Sequence, residues 1–395
     1  MLAMNMSSQP IDYVTLLEKV KENGIFPEAE GKQYLLQLTE LVPSVENVEN
    51  YARIIADKAV LRQLINASDS IKERSLEGSG SPSEIVEFAE QRIYDIANKR
   101  VSTGFYSLKE GLQESMERYM KLQSDDKNEY AGLPTYFGEL DRMMGGMHKG
   151  DLIIIAARPG IGKSSLALNI AENVATKANK KVAFFSLEMP REQLVDRVIS
   201  SQALIDNTRL RTGELQPDDW RRIAEASSYL ANCPIYFDDT SMITVSQIKA
   251  KLRRLKGVDL VVIDYLQLLS SGSRTDNRVQ EVSEMTRSLK IMAKDIGVPV
   301  IALSQLSRRS EDRSAKDHRP QLSDLRESGS IEQDADSVIF LYNDAKYSSE
   351  PQEQNVVEII LGKNRHGETG TVKVDWNGKY TKFSSIERRF DAPPN

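Results

Sequence analysis

Cysteine is nearly missing from this chain. Cys233 stands alone in 395 residues, which excludes an intrachain disulfide and any cysteine-cluster metal centre and leaves the reading of a small buried side chain. Long apolar runs are missing too. No stretch approaches the roughly 20 residues that a membrane-spanning helix requires, and the amino-terminal residues lack the basic segment and apolar core of a secretory signal. The expected place of action is therefore the cytoplasm, with no membrane partner. Nor is there a positive surplus. The 52 Lys and Arg against 58 Asp and Glu give a formal net charge of −6, which argues against a protein that coats DNA uniformly and leaves room for a local basic segment. No repeat or low-complexity tract is found. What is present, 40% hydrophobic and 28% charged residues, is the composition of a globular protein with a large core and a length suited to two or three domains.

The most informative segment is the run Ala157, Arg158, Pro159, Gly160, Ile161, Gly162, Lys163, Ser164, Ser165, entered from the apolar residues 152–156. A strand feeding a glycine-bearing loop that opens a helix builds a phosphate cradle. Gly160 and Gly162 let backbone N–H groups turn toward a polyphosphate, Lys163 supplies a compact positive charge, and the Ser164 hydroxyl suits Mg²⁺. Arg158, Gly160, Gly162, Lys163, Ser164 and Ser165 are thus candidate nucleotide-binding residues, and the chain reads as a nucleoside triphosphatase. The pattern's first position holds Ala157, which is harmless where it only ends the strand and costly where a positive φ is needed. The helix that follows is expected over residues 165–178.

Residues 11–76 carry apolar side chains at helical spacing: Val14, Leu16, Leu17 and Val20 closed by Gly24, then Tyr51, Ile54, Ile55, Ala59, Leu61, Leu64 and Ile65. That periodicity predicts a helical module. Residues 78–83 break it with Gly, Ser and Pro, and a further helix is predicted over 84–100. An amphipathic stretch at 106–122 precedes the polar run 124–129 and reads either as a connector helix or as one more core helix. From about residue 130 the pattern changes to short β-branched runs at 152–156, 182–186, 234–237, 260–263, 298–303 and 337–342, alternating with helical segments. This predicts an α/β domain with a mostly parallel twisted sheet covered by helices. The runs at 356–361 and 370–374 read as strands at or beyond the sheet edge. The expected domains are an all-α amino-terminal domain (1–101), a linker helix and connector (102–129) and the α/β domain (130–395).

In such sheets ligands gather at the carboxyl ends of the strands, so the polar residues that end each run are the candidates. Asp264 ends 260–263 and suits the Mg²⁺ shell. Glu188 follows 184–187 and either polarises an attacking water or serves as a carboxylate at the entry to the helix after Pro190. Gln305 follows 300–304 and reads as a γ-phosphate sensor or as an exposed strand end. Hydrolysis also needs positive charge on the departing phosphoryl group, which a neighbouring subunit commonly delivers. Lys363 and Arg365, on a turn after a strand, are candidates for that role or a solvated basic surface.

Residues 307–320 hold five cations, among them Arg308, Arg309 and Arg319, against three carboxylates. This positive loop suits phosphates. Just beyond it, residues 324–331 combine Arg326 with small residues whose amides can line a strand of DNA. No aromatic residue is interleaved, so contact with the backbone and little sequence preference are expected.

Taken together, residues 152–165, 184–189, 210–213, 236–240, 262–268, 302–308 and 324–336 resemble the DnaB family of replicative helicases, and the resemblance covers nearly the whole chain. It implies a RecA-like P-loop motor in a homohexameric ring, a helical amino-terminal collar, and a connector helix that docks on the adjacent subunit. The implied activity is ATP-dependent, Mg²⁺-assisted translocation on single-stranded DNA with unwinding of the fork, in the bacterial cytoplasm or nucleoid, or in a host cytoplasm for a phage-encoded member. By the same resemblance Lys163, Ser164 and Asp264 hold Mg-nucleotide, Glu188 is catalytic, Gln305 senses, Lys363 and Arg365 act in trans, and Arg197 lies near the base. Arg326, Glu327 and Gly329 match the loop that grips single-stranded DNA. Primase and a helicase loader are implied partners in a primosome. Met1 to Asp12 resembles the middle of the family's amino-terminal domain, so the expectation is that roughly its first half is missing. Two rivals stand beside it: a RecA-type recombinase or packaging-like motor, which shares the ATPase core, and, from a different class, a non-motor ring scaffold that uses nucleotide only to assemble a ring or to hold partners. Glu188, Gln305 and Arg365 together count against the scaffold.

Overall fold

A computed structural model describes residues 12–24, 27–40, 48–78, 80–98, 107–123, 132–270, 278–306, 318–346 and 355–386. The chain divides into two compact units, Met1–Tyr106 and Ser107–Asn395. Among the described residues no helix is long and apolar enough to cross a membrane.

The first unit is helical. Asp12 caps the helix Tyr13–Glu22 by accepting the Thr15 N–H while Thr15 returns a bond to Asp12, a reciprocal box that fixes the start. Leu16 packs on Leu35 of the helix Glu28–Glu40. The periodic run from Tyr51 lies in one 30-residue helix, Val48–Glu77, which packs against the helix Pro82–Asn98. The spacing thus predicts the helix correctly but not burial: Ile54, Ile55, Leu61, Leu64 and Ile65 are all exposed.

In the second unit, nine strands form one sheet in the order β3-β2-β4-β5-β1-β6-β7-β8-β9. β1 is Leu152–Ala157, β2 Val182–Ser186, β3 Ile235–Asp238, β4 Leu260–Asp264, β5 Val300–Gln305 and β6 Ser337–Tyr342. These pair in parallel. β7 (Val356–Asn364), β8 (Gly370–Asn377) and β9 (Lys382–Ser385) then continue the same sheet as antiparallel strands. The two late runs therefore extend the sheet at its edge, and β9 has no counterpart in the sequence pattern. Alternation along β1 feeds both faces. Ile153, Ile155 and Ala157 join a core with Leu166 and Ile170 of the helix Lys163–Lys177, whereas Leu152, Ile154 and Ala156 join Ile248, Leu252, Met285 and Leu289 of the helices Val245–Leu255 and Arg278–Ile296. Helices on both faces leave open only the two ends of the parallel strands.

Candidate functional site

Ala157 is the last residue of β1, pairs with Gln305 and has no positive φ. The departure at the loop's first position is thereby harmless. Gly160 and Gly162 do adopt positive φ, +74° and +106°. Gly162 is the cap of the helix Lys163–Lys177 and places no side chain on its first N–H groups, so those amides face outward at the positive end of the helix dipole. The helix starts two residues earlier than the sequence predicts, which brings Lys163 and Ser164 into its first turn. Arg158 does not point outward alone: its Nη1 donates to the Leu306 carbonyl at 3.0 Å and braces the loop on the end of β5.

The carboxyl ends of β2, β4 and β5 converge on this loop. Asp264 is fully buried, and neither carboxylate oxygen has a hydrogen-bond partner. Its companion is Lys163, whose Nζ lies 3.8 Å from Oδ1 and 4.5 Å from the centre of the Tyr265 ring. Burial lowers the Lys163 pKa, and the charges of Asp264 and Glu188 oppose that effect. Arg197, on the helix Arg191–Ala203, shows the same pattern, lowered by burial and supported by Asp264 and Glu188. Two cations and two carboxylates thus share one electrostatic field. Glu188 is the exposed member. Its turn is fixed by Ser186 Oγ, which donates to the Met189 carbonyl at 2.6 Å and accepts the Met189 N–H at 3.2 Å, and by the Leu187 N–H donating to the Asp264 carbonyl at 2.7 Å. Gln305 ends β5 with its side chain exposed, beside the loop entrance.

A buried carboxylate with two unsatisfied oxygens is costly unless something arrives to claim them. A divalent cation carried with a polyphosphate fits that demand, with Ser164 the nearby hydroxyl. Among the described residues there is no cluster of three or more His, Cys, Asp or Glu.

Lys363 and Arg365 are not brought to this loop. Asn364 pairs with Ser337, and Ser337 with Ile153, so the turn lies at the amino end of β1, at the opposite end of the sheet from Lys163. There Lys363 Nζ donates to the carbonyls of Glu332, Gln333 and Ala335. Arg365 Nη1 bonds Asp336 Oδ1 at 3.1 Å and Nη2 the Gln333 carbonyl at 2.9 Å.

Residues 324–336 form a 3₁₀ segment, Leu322–Ser328, followed by the helix Gly329–Asp334. Arg326, Glu327 and Gly329 sit at that junction. Arg308 and Arg309 lie outside the described residues. Arg319, counted in the positive loop, is engaged by both carboxylate oxygens of Glu358 at 3.0 Å each. Sequence reasoning gave no role to Tyr265 beneath Lys163, nor to the pair Trp376 and Phe383. Their rings stack at 4.3 Å, and a Cβ on Gly162 would meet Phe383 at 3.0 Å. No local pattern marks that contact, because it joins residues more than two hundred positions apart.

Comparisons with known proteins agree along the whole chain. The model of the DnaB-like helicase C terminal domain matches residues 132–385, and that of the DnaB-like helicase N terminal domain matches residues 1–57. The chain is 46% identical over 395 residues to the replicative DNA helicase DnaB of Geobacillus stearothermophilus, covering 99% of this chain and 86% of that protein. It is 44% identical over 401 residues to the replicative DNA helicase DnaC of Bacillus subtilis (strain 168), covering 100% and 88%. Among solved structures, a DnaB-like replicative helicase described with its interactions with primase superposes with a TM-score of 0.76 at 31% identity, over 98% of this chain and 90% of that one. A second solved structure, an isolated ATPase domain, gives a TM-score of 0.67 at 37% identity, over 72% of this chain and all of that one.

Proposed function

This chain belongs to the family of DnaB-like replicative helicases, ATP-hydrolysing enzymes that unwind DNA, and from that premise we propose how its residues divide the work. ATP binds with its phosphates against the N–H groups of residues 160–165 and the ammonium of Lys163, and Arg158 keeps the loop braced on β5. Ser164 and Asp264 hold Mg²⁺, which when bound neutralises charge on the phosphate oxygens. Glu188 accepts a proton from, and orients, the water that attacks the γ-phosphorus. Gln305 reads the presence of the γ-phosphate. Arg197 balances Glu188 and Asp264 on the side of the base. Charge developing on the departing phosphoryl group is met by Lys363 and Arg365 of the next protomer.

One observation carries this division. The phosphate loop and the basic turn lie at opposite ends of a single sheet, so one chain cannot bring Lys363 and Arg365 to its own Lys163, and a head-to-tail neighbour can. Repeated head-to-tail contacts close into a ring, for which a homohexamer is the proposed size. The exposed stripe Leu108, Leu112, Met116 and Met120 of the helix Leu108–Gln123 suits the connector that docks on the adjacent protomer. The hole of the ring would then be lined by Arg308, Arg309, Arg326, Glu327 and Gly329, gripping single-stranded DNA by its backbone. Primase and a loader are proposed partners of the collar.

A strand-displacement assay on a forked duplex, run with ATPase measurements and native mass, tests the reading. Expected are an oligomer of six protomers, hydrolysis stimulated by single-stranded DNA, and displacement that requires ATP. Protomers that stay monomeric under every condition, or homologous pairing without displacement, would overturn it.

A further inference from the structure

One buried carboxylate has no task in that scheme. Asp336 lies between the helix Gly329–Asp334 and β6 and is 4% exposed. Its Oδ2 accepts the Leu152 N–H at 2.7 Å and pairs with Lys290 Nζ, while its own N–H donates to the Leu152 carbonyl at 2.9 Å. Leu152 is the first residue of β1, whose last residue opens the phosphate loop. Asp336 Oδ1 accepts from Arg365 Nη1, and the Asp336 carbonyl from the Arg365 N–H at 3.0 Å. Beside it, Lys363 and Arg365 satisfy the last carbonyls of the helix that begins at Gly329. Cations at a helix carboxyl end satisfy carbonyls that have no partner within the helix.

We propose that Asp336 is a positioning residue at a three-way junction, tying the cations that serve the neighbour's nucleotide to the strand that carries this protomer's own phosphate loop and to the helix that carries its DNA segment. The inference rests on the assignment of Lys363 and Arg365 to the neighbouring protomer's phosphate. The contacts to Asp336 and Gln333 fold the guanidinium back onto its own chain, so an Arg365 extended toward another molecule gives them up. Asp336 then keeps Lys290 and the Leu152 N–H and is not left as an unpaired buried charge. The helix carbonyls lose their donors, and its seat against β1 is free to shift. Burial and the adjacent Arg365 lower the Lys363 pKa, against the pull of Asp336, Glu332 and Asp334. Two crowded cations favour an arriving polyanion. The junction is thus an element with two arrangements that nucleotide and DNA both bias, which is what coupling requires.

The test measures the affinity of the full-length protein for a labelled oligothymidine with and without a non-hydrolysable ATP analogue. The wild-type protein should bind the oligonucleotide about tenfold more tightly with the analogue, within the usual range of coupling between sites. Asp336→Asn should bring that ratio close to one while affinity for the analogue is kept. Lys363→Met, which leaves the buried contacts of Asp336 intact, should reduce the ratio as well and covers the case in which Asp336→Asn does not fold. A ratio of one in the wild type, or a wild-type ratio in a folded Asp336→Asn or in Lys363→Met, overturns the junction. Mixing protomers that carry Lys163→Ala with protomers that carry Arg365→Ala tests the underlying reading separately. Restored hydrolysis there beside an unchanged ratio condemns the junction alone, whereas no restoration condemns the in-trans assignment.

Discussion

Asp264 and Glu172 are both buried acids, and their surroundings give them opposite fates. Asp264 has Lys163 at 3.8 Å and no hydrogen bond to either oxygen, which on the proposed reading leaves its carboxylate for the cation that comes with the nucleotide. Asp264→Asn should therefore leave the thermal midpoint without nucleotide unchanged or higher while hydrolysis falls by about 10² to 10³, the range for losing one electrostatic contact to a transition state. A fall in both would make Asp264 merely structural. Glu172 lies on the far half of the phosphate-loop helix beside a polar cavity of about 350 Å³. Burial raises its pKa from 4.5 to about 7, against the pull of the Ser201 hydroxyl, Lys382 and Lys177. The folded state thus prefers the neutral acid. Its contribution is complete below the unfolded pKa of 4.5 and is lost as the pH rises through about 7. Glu172→Gln should keep the neutral form at every pH, so its stability should gain on the wild type between about pH 4.5 and pH 7, by an amount of the order of 3 kcal/mol, and keep that advantage above pH 7. Midpoint curves that run parallel over that window would refute the assignment.

At the scale of elements, β9 matters because it closes the phosphate-loop helix from outside the parallel sheet. Asn169 Oδ1 accepts the Phe383 N–H at 2.7 Å and its Nδ2 donates to the Thr381 carbonyl at 3.4 Å, a staple between that helix and β9. Asn169→Ala strands both buried groups, so a loss of about 1–3 kcal/mol in urea unfolding is expected. Because Phe383 presses on Gly162, nucleotide affinity should fall with it. An unchanged unfolding midpoint would show that the staple contributes nothing. The strands that build the site were legible in the sequence, since each of β1, β2, β4, β5 and β6 is a short apolar run buried on both faces, and the polar residues that end or follow β2, β4 and β5 stand out against it. β9 was not legible: Lys382, Phe383, Ser384 and Ser385 form a half-polar strand with one anchoring side chain. The charge count was misleading where pairing is long-range, as for Arg319, which Glu358 claims from β7. The apolar periodicity of Val48–Glu77 reported the helix and said nothing about what covers it.

For the whole molecule the decisive fact is geometric. Lys163, Asp264 and Glu188 sit at the carboxyl end of β1 and Lys363 and Arg365 at its amino end, so on the proposed reading each protomer supplies half of a catalytic site. Complementation makes this testable without a structure of the ring. Protomers with Lys163→Ala lack the phosphate grip and keep the basic turn, and protomers with Arg365→Ala lack the turn and keep the grip. Each preparation alone should hydrolyse ATP at least about a hundredfold more slowly than the wild type. Mixed in equal parts under conditions that permit exchange, random head-to-tail assembly pairs an intact grip with an intact turn at about a quarter of the junctions, and hydrolysis should return to a comparable fraction of the wild-type rate. Were both half-sites completed within one chain, no junction could gain what each protomer lacks and the mixture would stay inactive. Unwinding should recover far less than hydrolysis, because a strand handed around the ring meets a dead junction at most steps. Parallel recovery of the two would instead show that the protomers act independently.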